Sequence, residues 1–337
     1  MWCCALSLVW ATGCQNPRSR EHSPELIHRS QPLLGTFVTI SAWGADRDAV
    51  QCAISAAFDE IRRADVLMSI HRPDSELSRV NAQAASNDVT VSPELFRVIE
   101  LAQRIAQETD GSFDVTIRPL ADLWGFIWKE HRLPSDAELR AVLPNVDYRK
   151  IELDVAHRTI RFREPGVSID LGGIGKGVAV DMAIAKLREL GVTNAMVKAG
   201  GDLRVIGTPP DAEFWTVQLE DPRKEGRRVS IPLRDAALST SGNYENFFEV
   251  AGRRYSHILD PRTGMPVDGI SSCTVIAPTC AESDAWATAC FVHGVERSLG
   301  QFGDRFAIRF TLMPEEDGDG RWTVRQTANF PLPLNEP

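Results

Sequence analysis

No C-x-x-C pair occurs among the seven cysteines of this chain (Cys3, Cys4, Cys14, Cys52, Cys273, Cys280 and Cys290), so a zinc or iron–sulfur centre has little support. No long basic run offsets the formal charge of −9, which disfavours a nonspecific nucleic-acid surface and leaves any anionic ligand to local groups. No internal repeat of solenoid period is present. The apolar run at the start, MWCCALSLVWATG, has thirteen residues and falls short of the about 20 that span a bilayer. What remains is an ordinary globular composition, 43% hydrophobic and 25% charged, in 337 residues, a length that suits one large domain or two interlocked lobes.

The opening run ends in a small-residue tripeptide before Cys14, as an export signal with a lipoprotein processing site does. No Lys or Arg precedes it, and Ala11 stands where Leu is common. Residues 1–30 are therefore expected to be a signal and polar tether, with a lipidated Cys14 fixing the chain to the bacterial cell envelope, facing the periplasm or the exterior. The alternative is the plain N-terminus of a cytosolic protein. Residues 31–330 are expected to form a single domain with lobes at about 31–165 and 166–330.

SIDLGGIGKGVAVD, residues 168–181, places Gly172, Gly173, Gly175 and Gly177 with Lys176 between two aspartates. Glycine adopts positive φ and admits a ligand close to the main chain. Val167, Ile169 and Leu171 alternate as in a strand, and Val178, Met182, Ala185 and Leu190 recur at roughly helical spacing, so the segment reads strand, glycine turn, helix. The start of such a helix favours an anion, and Lys176 adds a cation there. The spacing fits neither the Walker A loop nor G-x-G-x-x-G. A plain strand-to-helix turn with a solvated lysine is the competing reading.

Elsewhere, LLGTFVTISAWG reads as a strand and residues 46 to about 68 as a helix. SPELFRVIELAQRIAQETDG is a helix capped by Ser92, with Pro93 in its first turn and Gly111 at its close, and PSDAELRAVLPNV is a short capped helix. Strand pairs are expected near 151–154 and 159–163 and around the Ala199–Asp202 turn. Further strands are WTVQLEDP and the two halves of FFEVAGRRYSHILD, and a helix near 282–293 and two closing strands follow. Helices interspersed with hairpins, without strict βα alternation, point to an α+β fold.

Several residues carry candidate chemistry. His257 precedes the Pro261–Gly264 turn and suits a general base or a phosphate donor, or a structural histidine. Asp284 and Thr288, four apart on a helix, present oxygen ligands for a hard cation such as magnesium, or a cap and a filler. STSGNYENFF, with Thr240, Ser241, Gly242 and Asn243, reads as a loop. Cys273 and Cys280 either pair or stay as buried thiols.

Taken in order, GTFVTI, HRPDSELSRVN, GSFDVTIRPL, SIDLGGIGKGVAVD, AGGDLRVIG, STSGNYE, SHILDPRTG and ESDAWATACFV resemble the ApbE family of FAD:protein FMN transferases, over roughly residues 31–313. The resemblance implies an ApbE-like fold of two interlocked lobes with largely antiparallel sheets and FAD in the cleft between them. It implies cleavage of FAD with release of AMP, and joining of FMN to a Ser or Thr of an acceptor protein, with magnesium required. The acceptor would be an exported redox subunit. Asp284, Thr288 and a backbone carbonyl near Gly173 match the family's metal ligands. Lys176 and His257 match positions near the diphosphate, the first for charge stabilisation and the second for proton transfer or phosphate binding. Gly172 and Gly173 belong to the same turn, and Thr36, Asn81, Asp114, Asp181 and Thr240–Asn243 are expected to line the flavin or adenosine site. His71 and Met265 replace aromatic residues common in the family, which predicts looser FAD binding. Hydrolysis of FAD to AMP and FMN, or FAD binding without catalysis, are the alternative activities.

Overall fold

The computed structural model describes residues 25–221, 223, 227–314 and 321–334. The expected export segment and Cys14 lie outside the described residues.

The first half contains β1 (Ile27–Leu33), β2 (Thr36–Trp43), α1 (Arg47–Met68), α2 (Glu76–Gln83), β3 (Val89–Thr90), α3 (Pro93–Glu108), α4 (Arg118–Trp124), α5 (Asp136–Val142), β4 (Ile151–Asp154) and β5 (Thr159–Phe162). It continues with α6 (Gly175–Glu189), β6 (Asn194–Ala199), β7 (Asp202–Ile206), β8 (Trp215–Glu220), β9 (Arg228–Leu233), β10 (Ala237–Gly242), β11 (Phe247–Val250) and β12 (Arg253–Ser256). The last elements are β13 (Ile270–Ala277), α7 (Cys280–His293), α8 (Val295–Phe302), β14 (Ala307–Leu312) and β15 (Thr323–Gln326).

Local chemistry accounts for the helix starts. Asp46 accepts from the N–H groups of Asp48 and Ala49 at 3.0 and 3.1 Å, and Val50, Ala53, Ile54, Ala57, Ile61 and Ala64 then bury one face of α1. Ser92 caps α3 as expected, and Ser135 with Glu138 forms a capping box at α5.

Eight strands form one antiparallel sheet in the order β1-β2-β6-β7-β10-β13-β14-β15. The α+β class expected from the sequence is thus observed. β2, from the first expected lobe, pairs with β6 of the second, Val38 opposite Ala199. Alternation along the strands splits the side chains between two faces. Ala237, Ser239 and Ser241 of β10 face α7, with Ser239 and Ser241 hydrogen-bonded to Ser283 and Thr288. Leu238 packs on the other face with Trp215, Val217, Leu219 and Ile231 of the β8–β9 hairpin. The first face carries the large core with α1, α6 and α7, and the second carries a smaller one.

Three expectations are corrected. Val167–Leu171 forms no strand and pairs with none. Its burial alternates as in a strand, and its partners are a side chain and a turn: the Asn81 amide donates to Ile169 O at 2.8 Å and accepts from Ile169 N at 2.7 Å, and Asp170 N donates to Val115 O at 2.8 Å. Thr240–Gly242 belongs to a central strand rather than a loop, and its hydroxyls find partners on the neighbouring strand β13 (Thr274) and on α7 (Thr288). Gly172, Gly173, Gly175 and Gly177 all lack positive φ. At Gly177 the missing Cβ would fall 2.2 Å from the Cys280 carbonyl oxygen, so this glycine lets two helices touch. Cys273 and Cys280 are free, buried thiols.

Candidate active site

Helices α6 and α7 meet at Gly177, and the contact places the chemistry. The Gly177 N–H donates to Asp284 Oδ2 at 2.9 Å, so the carboxylate of α7 sits at the first turn of α6, where backbone N–H groups lack helical acceptors. One turn along α7, Thr288 Oγ1 lies 3.1 Å from Ser241 Oγ. A Cβ at Gly173 would approach that hydroxyl to 3.5 Å, so the glycine turn borders the same oxygens. The i,i+4 pair read from the sequence does share one face, and Ser241 joins it from the sheet.

Burial pushes the Asp284 carboxyl up to about 7, and the nearby Asp202 adds to the effect, while Lys176 and the Gly177 N–H oppose it. Lys176, adjacent to Gly177, is ion-paired with Asp202, which is buried at the start of β7. Burial disfavours the ammonium, but Asp202, Asp284 and Glu245 outweigh that and hold it above its ordinary value.

Lys176 also lines a cleft of about 520 Å3 that continues past Thr36, Lys198, Gly200, Gly201, Thr240 and Glu245. Bare Gly200 and Gly201 form part of its wall, and the ring of Tyr244 packs against Gly242. Burial raises the Glu245 carboxyl, which Lys176 partly offsets.

His257 follows β12 directly. A backbone carbonyl only accepts, so the 3.0 Å contact between its Nδ1 and Asn246 O fixes the proton on Nδ1 and leaves the lone pair on Nε2. Burial lowers its pKa below the ordinary 6.5, which the Asn246 bond opposes and Lys176 reinforces, keeping the ring neutral near pH 7.

Other predicted residues direct their polar atoms to the chain itself. Asp114 accepts from Thr116 N, Thr116 Oγ1 and Tyr148 N at 2.6–2.8 Å, and burial pushes it up to about 6. Asp181 accepts from the N–H groups of Cys280 and Ala281 and from Arg204, and so caps α7. Asn81 holds Ile169, and the Asn243 N–H donates to Ser271 O at 3.0 Å. Gly172 donates to Asp170 Oδ1 at 2.7 Å. Where His71 replaces a common aromatic, exposed Trp128 stands edge-on to it at 5.4 Å and returns an aromatic face. Sequence reading missed Asp202, Glu245 and Trp128. The first two lay inside quoted motifs, where an acid beside glycines or in a turn reads as solvated.

Among the described residues, no three His, Cys, Asp or Glu side chains group as metal ligands. A cation here would draw on one carboxylate, the hydroxyls of Thr288 and Ser241 and the Gly173 carbonyl. That all-oxygen set, with a buried carboxyl in want of a counter-charge, fits magnesium and not zinc.

The antiparallel α+β scaffold thus joins an oxygen cluster to a polar cleft through one lysine, which defines an α+β protein with a polar site between helix pair and sheet. The chain belongs to the ApbE family and is a transferase: the family model matches residues 34–305. It is similar to the FAD:protein FMN transferase of Vibrio cholerae, with 36% identity over 88% of this chain and 89% of the relative. The enzyme of that name from Klebsiella pneumoniae is 31% identical over 82% and 85%. Among solved structures, the ApbE protein of Thermotoga maritima superposes with a TM-score of 0.82 at 31% identity, covering 90% of this chain and 97% of that one. The flavin transferase ApbE of Vibrio cholerae gives 0.79 at 32%, covering 91% and 98%.

Proposed function

We propose that this chain is a magnesium-dependent FAD:protein FMN transferase that attaches FMN to a Ser or Thr hydroxyl of an acceptor protein and releases AMP. The observation that carries the reading is the meeting of Asp284, Thr288, Ser241 and Lys176 around the α6–α7 contact, in a chain of this family.

Transfer breaks the phosphoanhydride bond between the FMN phosphorus and AMP, and forms a phosphoester bond to the acceptor oxygen. AMP leaves with the bridging oxygen, and the acceptor proton passes to Nε2 of His257, whose neutral state and fixed tautomer suit a base. Lys176 stabilises charge on the phosphates from the cleft wall. Asp284, Thr288 and the Gly173 carbonyl would hold magnesium, which would neutralise charge on the phosphates and the leaving group. Thr36 and Thr240 contact the flavin or adenosine parts, while Asn81, Asp114, Asp181, Gly172 and Asn243 keep the surrounding turns in place.

The test is mass spectrometry of an exported redox domain incubated with the chain, FAD and magnesium, with AMP followed in parallel. A mass increase of one phosphoester-linked FMN supports transfer. AMP and free FMN without that increase indicate hydrolysis, and absence of AMP indicates a flavin-binding protein. The apolar run before Cys14 supports attachment to the cell envelope through a lipid on that residue. Metabolic labelling with palmitate checks this, and a chain that keeps its first residues and takes no label overturns it.

A further inference from the structure

Asp202 has no part in the reaction as described, yet its carboxylate is buried and ion-paired to Lys176. An unpaired buried charge is costly, so the pair is held as a unit. The next residue, Gly177, binds the metal-ligand candidate Asp284 through its N–H at 2.9 Å. Lys176 therefore springs from the same helical turn that touches Asp284, and the two side chains feel each other's charge. Glu245, in the cleft wall with Oε1 beside Gly201, also acts on the ammonium, but it is exposed and acts more weakly than Asp202 or Asp284.

We propose that Asp202 is a positioning residue that claims the Lys176 ammonium and so keeps Asp284 available to a divalent cation. The inference rests on the magnesium reading above. After Asp202, Asp284 is the acid whose charge acts most on the ammonium, so without Asp202 a cation arriving at Asp284 meets a positive charge drawn to the same carboxylate. An ammonium and a magnesium ion then compete for one carboxylate. This predicts that Asp202 matters less for FAD than for the metal, although it lies next to the cleft rather than on α7.

The experiment is calorimetric titration with magnesium alone, without FAD, of the wild-type chain, Asp202→Asn, Lys176→Met and the double variant, with thermal melting of each. Asp202→Asn should weaken magnesium binding by about tenfold or more, the effect of one unit of differential charge interaction. Adding Lys176→Met to it should restore most of the loss, because the competing ammonium is gone. A purely structural Asp202 would lower the melting temperature in both variants and show no such rescue. Equal magnesium affinity in wild type and Asp202→Asn overturns the positioning role and leaves the transferase reading standing. A wild-type chain that binds no magnesium overturns both the metal assignment and this role.

Discussion

Replacing Gly177 by alanine adds one methyl group at the point where two helices touch. Its Cβ would lie 2.2 Å from the Cys280 carbonyl oxygen, 2.6 Å from the carbonyl carbon and 2.8 Å from Ala281 N. All three are backbone atoms, so no rotamer relieves the clash. Reaching ordinary contact at 3.4 Å requires α6 and α7 to part by about 1.2 Å, and such overpacking costs roughly 1–3 kcal/mol. The same displacement pulls on the 2.9 Å bond from Gly177 to Asp284 and on the caps that Asp181 gives to Cys280 and Ala281. A misplacement of this size near reacting groups lowers rate by about 10²-fold. Urea unfolding and AMP release should both fall in Gly177→Ala. Gly175→Ala is the control, since its Cβ meets only Leu171 Cβ at 4.0 Å, and it should keep wild-type stability. A Gly177→Ala protein with the wild-type unfolding midpoint and turnover would refute the claim that this glycine exists for helix contact.

Asp284→Ala should lower magnesium-dependent AMP release on the order of 10²–10³-fold while circular dichroism stays unchanged, and retention of turnover would remove the metal assignment. His257 accepts a proton only when neutral, and burial places its pKa below 6.5. At saturating magnesium, which keeps Asp284 ionised, transfer should therefore decline only as the ring protonates, below pH 6.5. His257→Gln should lose about 10²–10⁴ in rate together with this acid limb, whereas an unchanged pH profile would assign the limb to another group. Asn81→Ala strips both partners from Ile169 and should cost about 1–3 kcal/mol for each orphaned backbone group, read as a lower urea midpoint. Stability equal to wild type would show that water replaces the amide.

Reading the sequence located the α7 face correctly because helical periodicity is local: Asp284 and Thr288 stand one turn apart whatever surrounds them. The capped starts of α3 and α5 were legible for the same reason. Features that depend on distant partners were not. Thr240–Asn243 has the composition of a turn, and only Thr274, Thr288 and the flanking strands make its hydroxyls acceptable in a sheet. The glycines of the 168–181 segment read locally as room for a ligand, but at Gly177 the room is filled by residue 280, about a hundred positions later. Asp202 is a buried acid whose lysine lies in another motif, and no local rule marks it. Val167–Leu171 alternates as a strand does, and the sequence could not disclose that an asparagine side chain takes the neighbouring strand's place.

The pairing of Val38 with Ala199 bears on how the chain reaches this state. The β1–β2 hairpin is made first but its inner edge stays open until β6, 161 positions further on, has been synthesised. Long-range pairing of this kind is slow and leaves an unpaired edge exposed in the meantime. A nascent chain cut short before Asn194 would present that edge for self-association, and a full-length chain gains its protection only late in synthesis.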